Sequence, residues 1–290
     1  MNNLSYDTSI IVNIINNINE NDNTEYRDKN LIEISKKIYE LEISNTLVFE
    51  CDIFIIYKYF VCLQNNKHRS YLVKIPKLNI IDITKIKKCI MFFHGSRDLH
   101  WDVALLSTNM LSNEFITIYL QGNNQGNFEL TEPNIEKGFI SYGENYFEIR
   151  DFAPNFYEDL EYVKLVKKDI IDKYKFTDFY AVGHSNGGVF ICLFPIYLPN
   201  EFKALVSHQG GMGWDEWFNI PFEKLDTSSV KPSIYFYTGT DDIHKIPCIQ
   251  AHEIFTNEGF DCKLYIENGL QHTWKKYHEI SIYEYLLYGI

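Results

Sequence analysis

The sequence predicts an α/β fold: a mostly parallel, doubly wound sheet with helices on both faces. Three observations lead there. Six mainly apolar runs recur along the chain, CIMFFH (89–94), FITIYL (115–120), FYAVGH (179–184), KALVSH (203–208), SIYFYT (233–238) and CKLYIE (262–267), as expected of strands covered on both faces. Helical periodicity lies between them, clearest where Phe156, Leu160, Val163, Ile170 and Tyr174 share one face. Finally, 46% of the 290 residues are hydrophobic, ample for the core of one large domain or two small ones. Strands alternating with helices build a parallel sheet, because a crossover helix brings the chain back in the same direction.

Taken in order, residues 1–45 are Asn-rich, yet Ile10, Ile11, Ile14, Ile15 and Ile18 repeat at helical spacing, as do Leu31, Ile34, Ile38 and Leu41. They predict an N-terminal helical extension ahead of the α/β domain, which spans 46–290. From Thr46 to Leu78 the chain is rich in β-branched and aromatic residues, with a turn at Asn65-Asn66 between two strands and Pro76 closing the pair. After the FYAV run, GGVFICLF opens an apolar helix that Pro195 is expected to kink or end early. A further helix runs from Pro247 to Glu258, with Gly259 as its C-terminal cap.

Composition excludes several classes of function. A formal net charge of -12 repels phosphate backbones and anionic lipid, and the short basic runs KIKKC and VKKD read as solvated faces, so nucleic acid is not an expected partner. No apolar run approaches the roughly 20 residues that span a bilayer. The first 25 residues have no basic leader, and Asn13, Asn16 and Asn17 interrupt their apolar stretch. The expectation is a cytoplasmic protein with no membrane span. The six cysteines form no C-x-x-C pair and read as free thiols of a reducing compartment.

The chemistry centres on Gly183-His184-Ser185-Asn186-Gly187. This fits G-x-S-x-G, in which flanking glycines let a strand turn sharply into a helix and leave the serine hydroxyl exposed at the sheet's end. The motif recurs by chance in unrelated chains; the strand before it and the helix after it give it meaning. A serine hydroxyl needs a general base oriented by a carboxylate, in the chain order Ser, Asp or Glu, His. YTGTDDIHKIP supplies Asp241 and Asp242 after one strand, with Asp242 favoured, and IENGLQHTW supplies His272 after the last. His208 and His244 also follow strands and are lesser candidates for the base, whereas His68 and His278 read as surface residues. The oxyanion needs two backbone N–H donors: Asn186, next to the nucleophile, and Ser96, in the turn after the first core strand. No metal or organic cofactor is implied.

Together these residues resemble the α/β-hydrolase superfamily, and within it the polyhydroxybutyrate depolymerase and feruloyl esterase-like carboxylic ester hydrolases. The resemblance rests on HRSYLVKIP (68–76), with its Arg-x-Tyr strand, FFHGS (92–96), GHSNGG (183–188), LPNEFKALVSHQGG (198–211), GTDD (239–242) and QHTW (271–274). DDIHKIP carries one residue more than the family's usual Asp-to-Val-Pro spacing, which leaves Asp241 and Asp242 both open. The implied activity is that of a serine esterase acting on a small-molecule or acyl ester. The same machinery suits a serine peptidase or thioesterase, and a catalytically inactive scaffold used for binding is the reading from another class. Trp101, Trp214 and Trp274 are candidate walls of the substrate pocket. Oligomeric state is not legible.

Overall fold

The apolar runs become six consecutive strands of a nine-stranded sheet in a computed structural model of the protein. The last of them, CKLYIE, is an edge strand with no fully buried residue, a correction to the expectation of cover on both faces, since an edge has a neighbour on one side only. The structure describes residues 46–50, 54–77, 86–96, 104, 114–124, 134–136, 139–141, 145–211, 221–226, 228–275 and 277–289. The predicted helical extension over 1–45 lies outside them. In chain order the strands are β1 (Thr46–Glu50), β2 (Phe54–Cys62), β3 (His68–Pro76), β4 (Lys88–Phe93), β5 (Phe115–Leu120), the short β6 (Asn123–Asn124), β7 (Asn134–Glu136), β8 (Phe139–Ser141) and β9 (Asn145–Tyr146), then β10 (Asp178–His184), β11 (Ala204–His208), β12 (Ser233–Gly239) and β13 (Cys262–Glu267). The main sheet runs β1-β2-β3-β5-β4-β10-β11-β12-β13, while β6 pairs with β9 and β7 with β8. From β5 to β13 every pairing is parallel; β1, β2 and β3 join antiparallel at one edge.

Two strands were expected before Pro76, and there are three. No glycine or proline marks the break between β1 and β2, and their pairing slips register between Leu47 and Phe49. The Asn65-Asn66 turn joins β2 and β3: Asn66 adopts φ 62°, tolerable for Asn, and Cys62 pairs with His68 across it.

The sheet is covered on both faces. Along β4, Cys89, Met91 and Phe93 enter one apolar cluster while Ile90 and Phe92 enter the other, as the two-residue period of a strand requires. Helix α1 (Pro154–Tyr174) buries Phe156, Val163, Val166 and Ile170 on the first face. Helix α2 (Asn186–Ile191) and α3 (Phe194–Tyr197) follow β10, and α4 (Lys245–Asn257) follows β12. Helix α2 stops before Pro195 because a proline ring at that position collides with the carbonyl four residues back, at Ile191; Pro195 then sits in the first turn of α3. Gly259 ends α4 at φ 78°, with its N–H on the Thr256 carbonyl, as the cap reading anticipated. Helix α5 (His278–Tyr288) was not anticipated. Its isoleucines and tyrosines have modest helix propensity, and it is held by Ile282, Tyr285 and Leu286 packing on the second face. Among the described residues no helix is long and apolar enough to cross a membrane. The described cysteines are free, with Cys62 exposed and Cys89, Cys192 and Cys248 buried.

Candidate active site

Strand β10 ends at His184 and α2 starts at Asn186, so the reversal falls on Ser185 alone. Its backbone sits at φ 52°, ψ −118°, a region that side chains other than glycine enter at a cost of about 1–3 kcal/mol. Two hydrogen bonds hold it there: Ser185 N–H donates to the His208 carbonyl at 2.9 Å, and its own carbonyl accepts from Val189 N–H at 3.0 Å. The flanking glycines are required by proximity. A Cβ on Gly183 would lie 2.3 Å from the Gly187 carbonyl oxygen, and one on Gly187 would lie 2.2 Å from the carbonyl oxygen of Phe93. Gly187 thus lets the first turn of α2 lie directly on the end of β4. Gly187→Ala is expected to pry these elements apart, costing roughly 3 kcal/mol of stability as overpacking does; chemical denaturation measures it, and an unchanged midpoint would show that the contact has room to yield.

Two loops bring the partners. His272, in the loop after β13, places Nε2 2.9 Å from Ser185 Oγ and Nδ1 2.9 Å from Asp242 Oδ1. Asp242 Oδ1 also accepts the His244 backbone N–H at 2.8 Å, and Oδ2 accepts the Thr238 hydroxyl at 3.0 Å. Burial alone raises this carboxyl, but the hydrogen bonds from His272, His244 and Thr238 outweigh it and hold the group below its ordinary value. An ionised Asp242 only accepts, so the His272 Nδ1 donates and its Nε2 presents a lone pair to the serine hydroxyl. Asp241, the alternative, is exposed and, among the described residues, accepts only from its neighbour Thr240.

Neither alternative histidine reaches the hydroxyl. His208 uses its carbonyl on Ser185 and its ring on two other histidines. His244 packs edge-on against His272, ring centres 4.6 Å apart, and burial pushes it down to about 4. His68 is exposed as expected, but His278 is fully buried, a correction to its reading as a surface residue. It opens α5, a helix the sequence pattern did not reveal, so its burial was hidden too.

Asn186 N–H follows the serine as expected, and its side chain has a job that was missed: Oδ1 accepts from Phe147 N–H at 2.8 Å and Nδ2 donates to the Phe147 carbonyl at 3.0 Å. Ser96 lies in the exposed turn after β4. The turn is braced by His94, whose Nδ1 lies 2.6 Å from the Gly95 carbonyl and whose Nε2 accepts Gly122 N–H at 2.8 Å; burial drives His94 down to about 4, keeping it neutral. Gln121, its other partner at 3.0 Å, carries a carbonyl bound by the buried Arg69, which pairs with Asp159. The Arg-x-Tyr strand therefore supports this turn from behind.

Gln209 was also missed. Fully buried beyond β11, it donates to the Gln271 carbonyl at 2.6 Å and accepts from Thr273 N–H at 2.8 Å, bracketing His272 on both sides. Trp274 packs 4.6 Å from His208 and 5.2 Å from Phe92 between ring centres. Trp101 and Trp214 lie outside the described residues. Among those described, no group of three or more His, Cys, Asp or Glu is arranged to hold a metal ion.

A mostly parallel sheet, helices on both faces, and a serine on the turn between β10 and α2 define the α/β-hydrolase fold, which this chain has. No protein-family model and no curated protein matches the sequence. Solved structures match in shape. An S-formylglutathione hydrolase from Agrobacterium tumefaciens superposes with TM-score 0.56 at 13% identity, covering 82% of this chain and 95% of its own. The Pyrococcus furiosus esterase Pf2001 gives 0.55 at 14%, covering 80% and 92%, and esterase PE8 gives 0.54 at 16%, covering 71% and 95%. At these identities the likeness is one of fold.

Proposed function

We propose that this protein is a serine hydrolase that cleaves carboxylic esters through an acyl-enzyme intermediate. The observation that carries the reading is the unbroken line of hydrogen bonds from Ser185 through His272 to Asp242, 2.9 Å at each step. In this mechanism Ser185 Oγ attacks the ester carbonyl carbon while its proton passes to His272 Nε2. The carbonyl oxygen becomes an anion, met by the N–H groups of Asn186 and Ser96, each such donor being worth about 3–4 kcal/mol of barrier. Collapse of the intermediate breaks the bond to the alcohol, which leaves with the proton from His272. Water then adds to the acyl carbon, giving its proton to His272, and the second collapse releases the carboxylic acid and returns that proton to Ser185. Asp242 keeps His272 in the required tautomer and balances its transient charge.

The choice of ester is supported by the motif-level resemblance to polyhydroxybutyrate depolymerase and feruloyl esterase-like enzymes, and by two of the three structural neighbours, which are named as esterases. Trp101, Trp214 and Trp274 are proposed to border the substrate. A fluorophosphonate probe tests the central step, because it bonds only to a hydroxyl already activated by its base. The expected result is one adduct per chain, located at Ser185 by peptide mass. A folded sample that takes no label would overturn the reading in favour of an inactive scaffold, and cleavage of peptides or thioesters in preference to esters would move it to those substrates.

A further inference from the structure

Behind the serine lies a second line of imidazoles, separate from the line to Asp242. His184 Nδ1 lies 2.9 Å from His208 Nδ1, and His208 Nε2 lies 2.8 Å from His278 Nδ1. His278 Nε2 then lies 3.4 Å from Glu267 Oε2. Glu267 also accepts the hydroxyls of Tyr237 and Tyr277, which keep it below its ordinary value against the effect of burial.

One contact orients every proton in this line. The backbone N–H of Lys275 donates to His278 Nδ1 at 3.2 Å. A backbone N–H has nothing else to offer, so His278 Nδ1 is bare and its proton sits on Nε2, facing the Glu267 carboxylate. His208 Nε2 must then donate to His278, which leaves His208 Nδ1 bare and obliges His184 Nδ1 to donate to it. The assignment requires neutral rings, and burial supplies them. It drives His184 down to about 3, His278 down to about 4, and His208 well below its ordinary value.

One end and the middle of the line touch the reacting groups. His184 immediately precedes Ser185, and its ring stacks on that of His272, centres 5.5 Å apart and planes 24° from parallel. His208 supplies the carbonyl that accepts the Ser185 N–H. Its ring is clamped by stacking on Tyr237 at 5.0 Å and by the edge of Trp274 at 4.6 Å. We propose that His184, His208 and His278 are positioning residues for the nucleophile, joined in a one-way chain of hydrogen bonds running from beside His272 to His278, whose Nε2 faces the Glu267 carboxylate across 3.4 Å without hydrogen-bond geometry. The chain fixes the His208 carbonyl under Ser185 and one tautomer of His184 under His272, so both partners of the Ser185–His272 hydrogen bond are held before substrate arrives. The inference rests on Ser185 being the nucleophile.

The test has a part that needs no turnover. In full-length protein labelled with ¹⁵N-histidine, ring-nitrogen NMR at neutral pH should report His184 as the Nδ1–H form and His208 and His278 as Nε2–H forms. Any one of the three in the opposite tautomer, or charged, overturns the chain. Kinetics then distinguish polarity from packing. His208→Phe, which keeps the ring's shape and removes both nitrogens, should lower kcat on a p-nitrophenyl ester about tenfold with KM changed less than about twofold. His208→Gln restores one acceptor and one donor in the same order, and should recover kcat to within about threefold of the parent. Equal rates in the two variants, high or low, would reduce the histidines to packing. If His208→Phe does not fold, His278→Phe against His278→Gln makes the same comparison. A full rate in Ser185→Ala would remove the esterase reading and leave the tautomer result standing, so the two failures are distinguishable.

Discussion

Ser185→Ala is expected to lower turnover of short-chain p-nitrophenyl esters by about 10⁶-fold, the loss seen when a serine nucleophile is removed from such a triad. What remains is the contribution of substrate binding and of the N–H groups facing the oxyanion. The measurement is the initial rate on the acetyl or butyryl ester against a heat-inactivated blank; a loss of less than about tenfold would mean that another group reacts. The same position predicts an opposite effect on stability. Ser185 holds φ 52° and ψ −118°, which glycine adopts without a clash. Ser185→Gly should therefore be about 1 kcal/mol more stable than the parent, the relieved strain exceeding the added freedom of the unfolded chain. A denaturation midpoint equal to or below the parent's would show that the turn is not strained.

Asp242→Ala should cost about 10⁴ in kcat, while Asp241→Ala should leave it within about twofold. The contrast follows from contacts: Asp242 accepts from His272, the His244 N–H and the Thr238 hydroxyl, whereas Asp241 is exposed beside Thr240. Equal losses in both variants would contradict the geometry. A pH effect on stability accompanies the first. The folded carboxyl of Asp242 is held below its ordinary 3.8, so its contribution is fully present above that value and is lost as pH falls through the lower, folded one. The stability gap between parent and Asp242→Ala should narrow in acid below pH 3.8. A gap that widens there would reverse the sign.

How far these features were legible differs from element to element. The strands β4, β5, β10 and β12 stand out in the sequence because a strand buried on both faces can be nearly all apolar, and little else in a soluble chain looks that way. Helix α1 repeats its apolar face over 21 residues, long enough for the period to show. Helix α5 runs 11 residues, HEISIYEYLLY, and its isoleucines and tyrosines suit a strand as well as a helix. Its packing on the second sheet face decides for helix, and only that packing buries His278. The slip between β1 and β2 leaves no residue-type signature at all.

The sequence by itself determined the order of the candidate residues: a serine between glycines at a strand's end, then a carboxylate, then a histidine, each in a loop after an apolar run. Such local patterns are readable because a turn's demands and a strand's burial act on neighbouring residues. Only the tertiary structure set Asp242 rather than Asp241 against His272, and brought Gln209, His208 and His278 to the candidate site. Those choices depend on which atoms meet across gaps of 30 to 87 residues, and no local pattern encodes a hydrogen bond that exists only after the sheet has assembled.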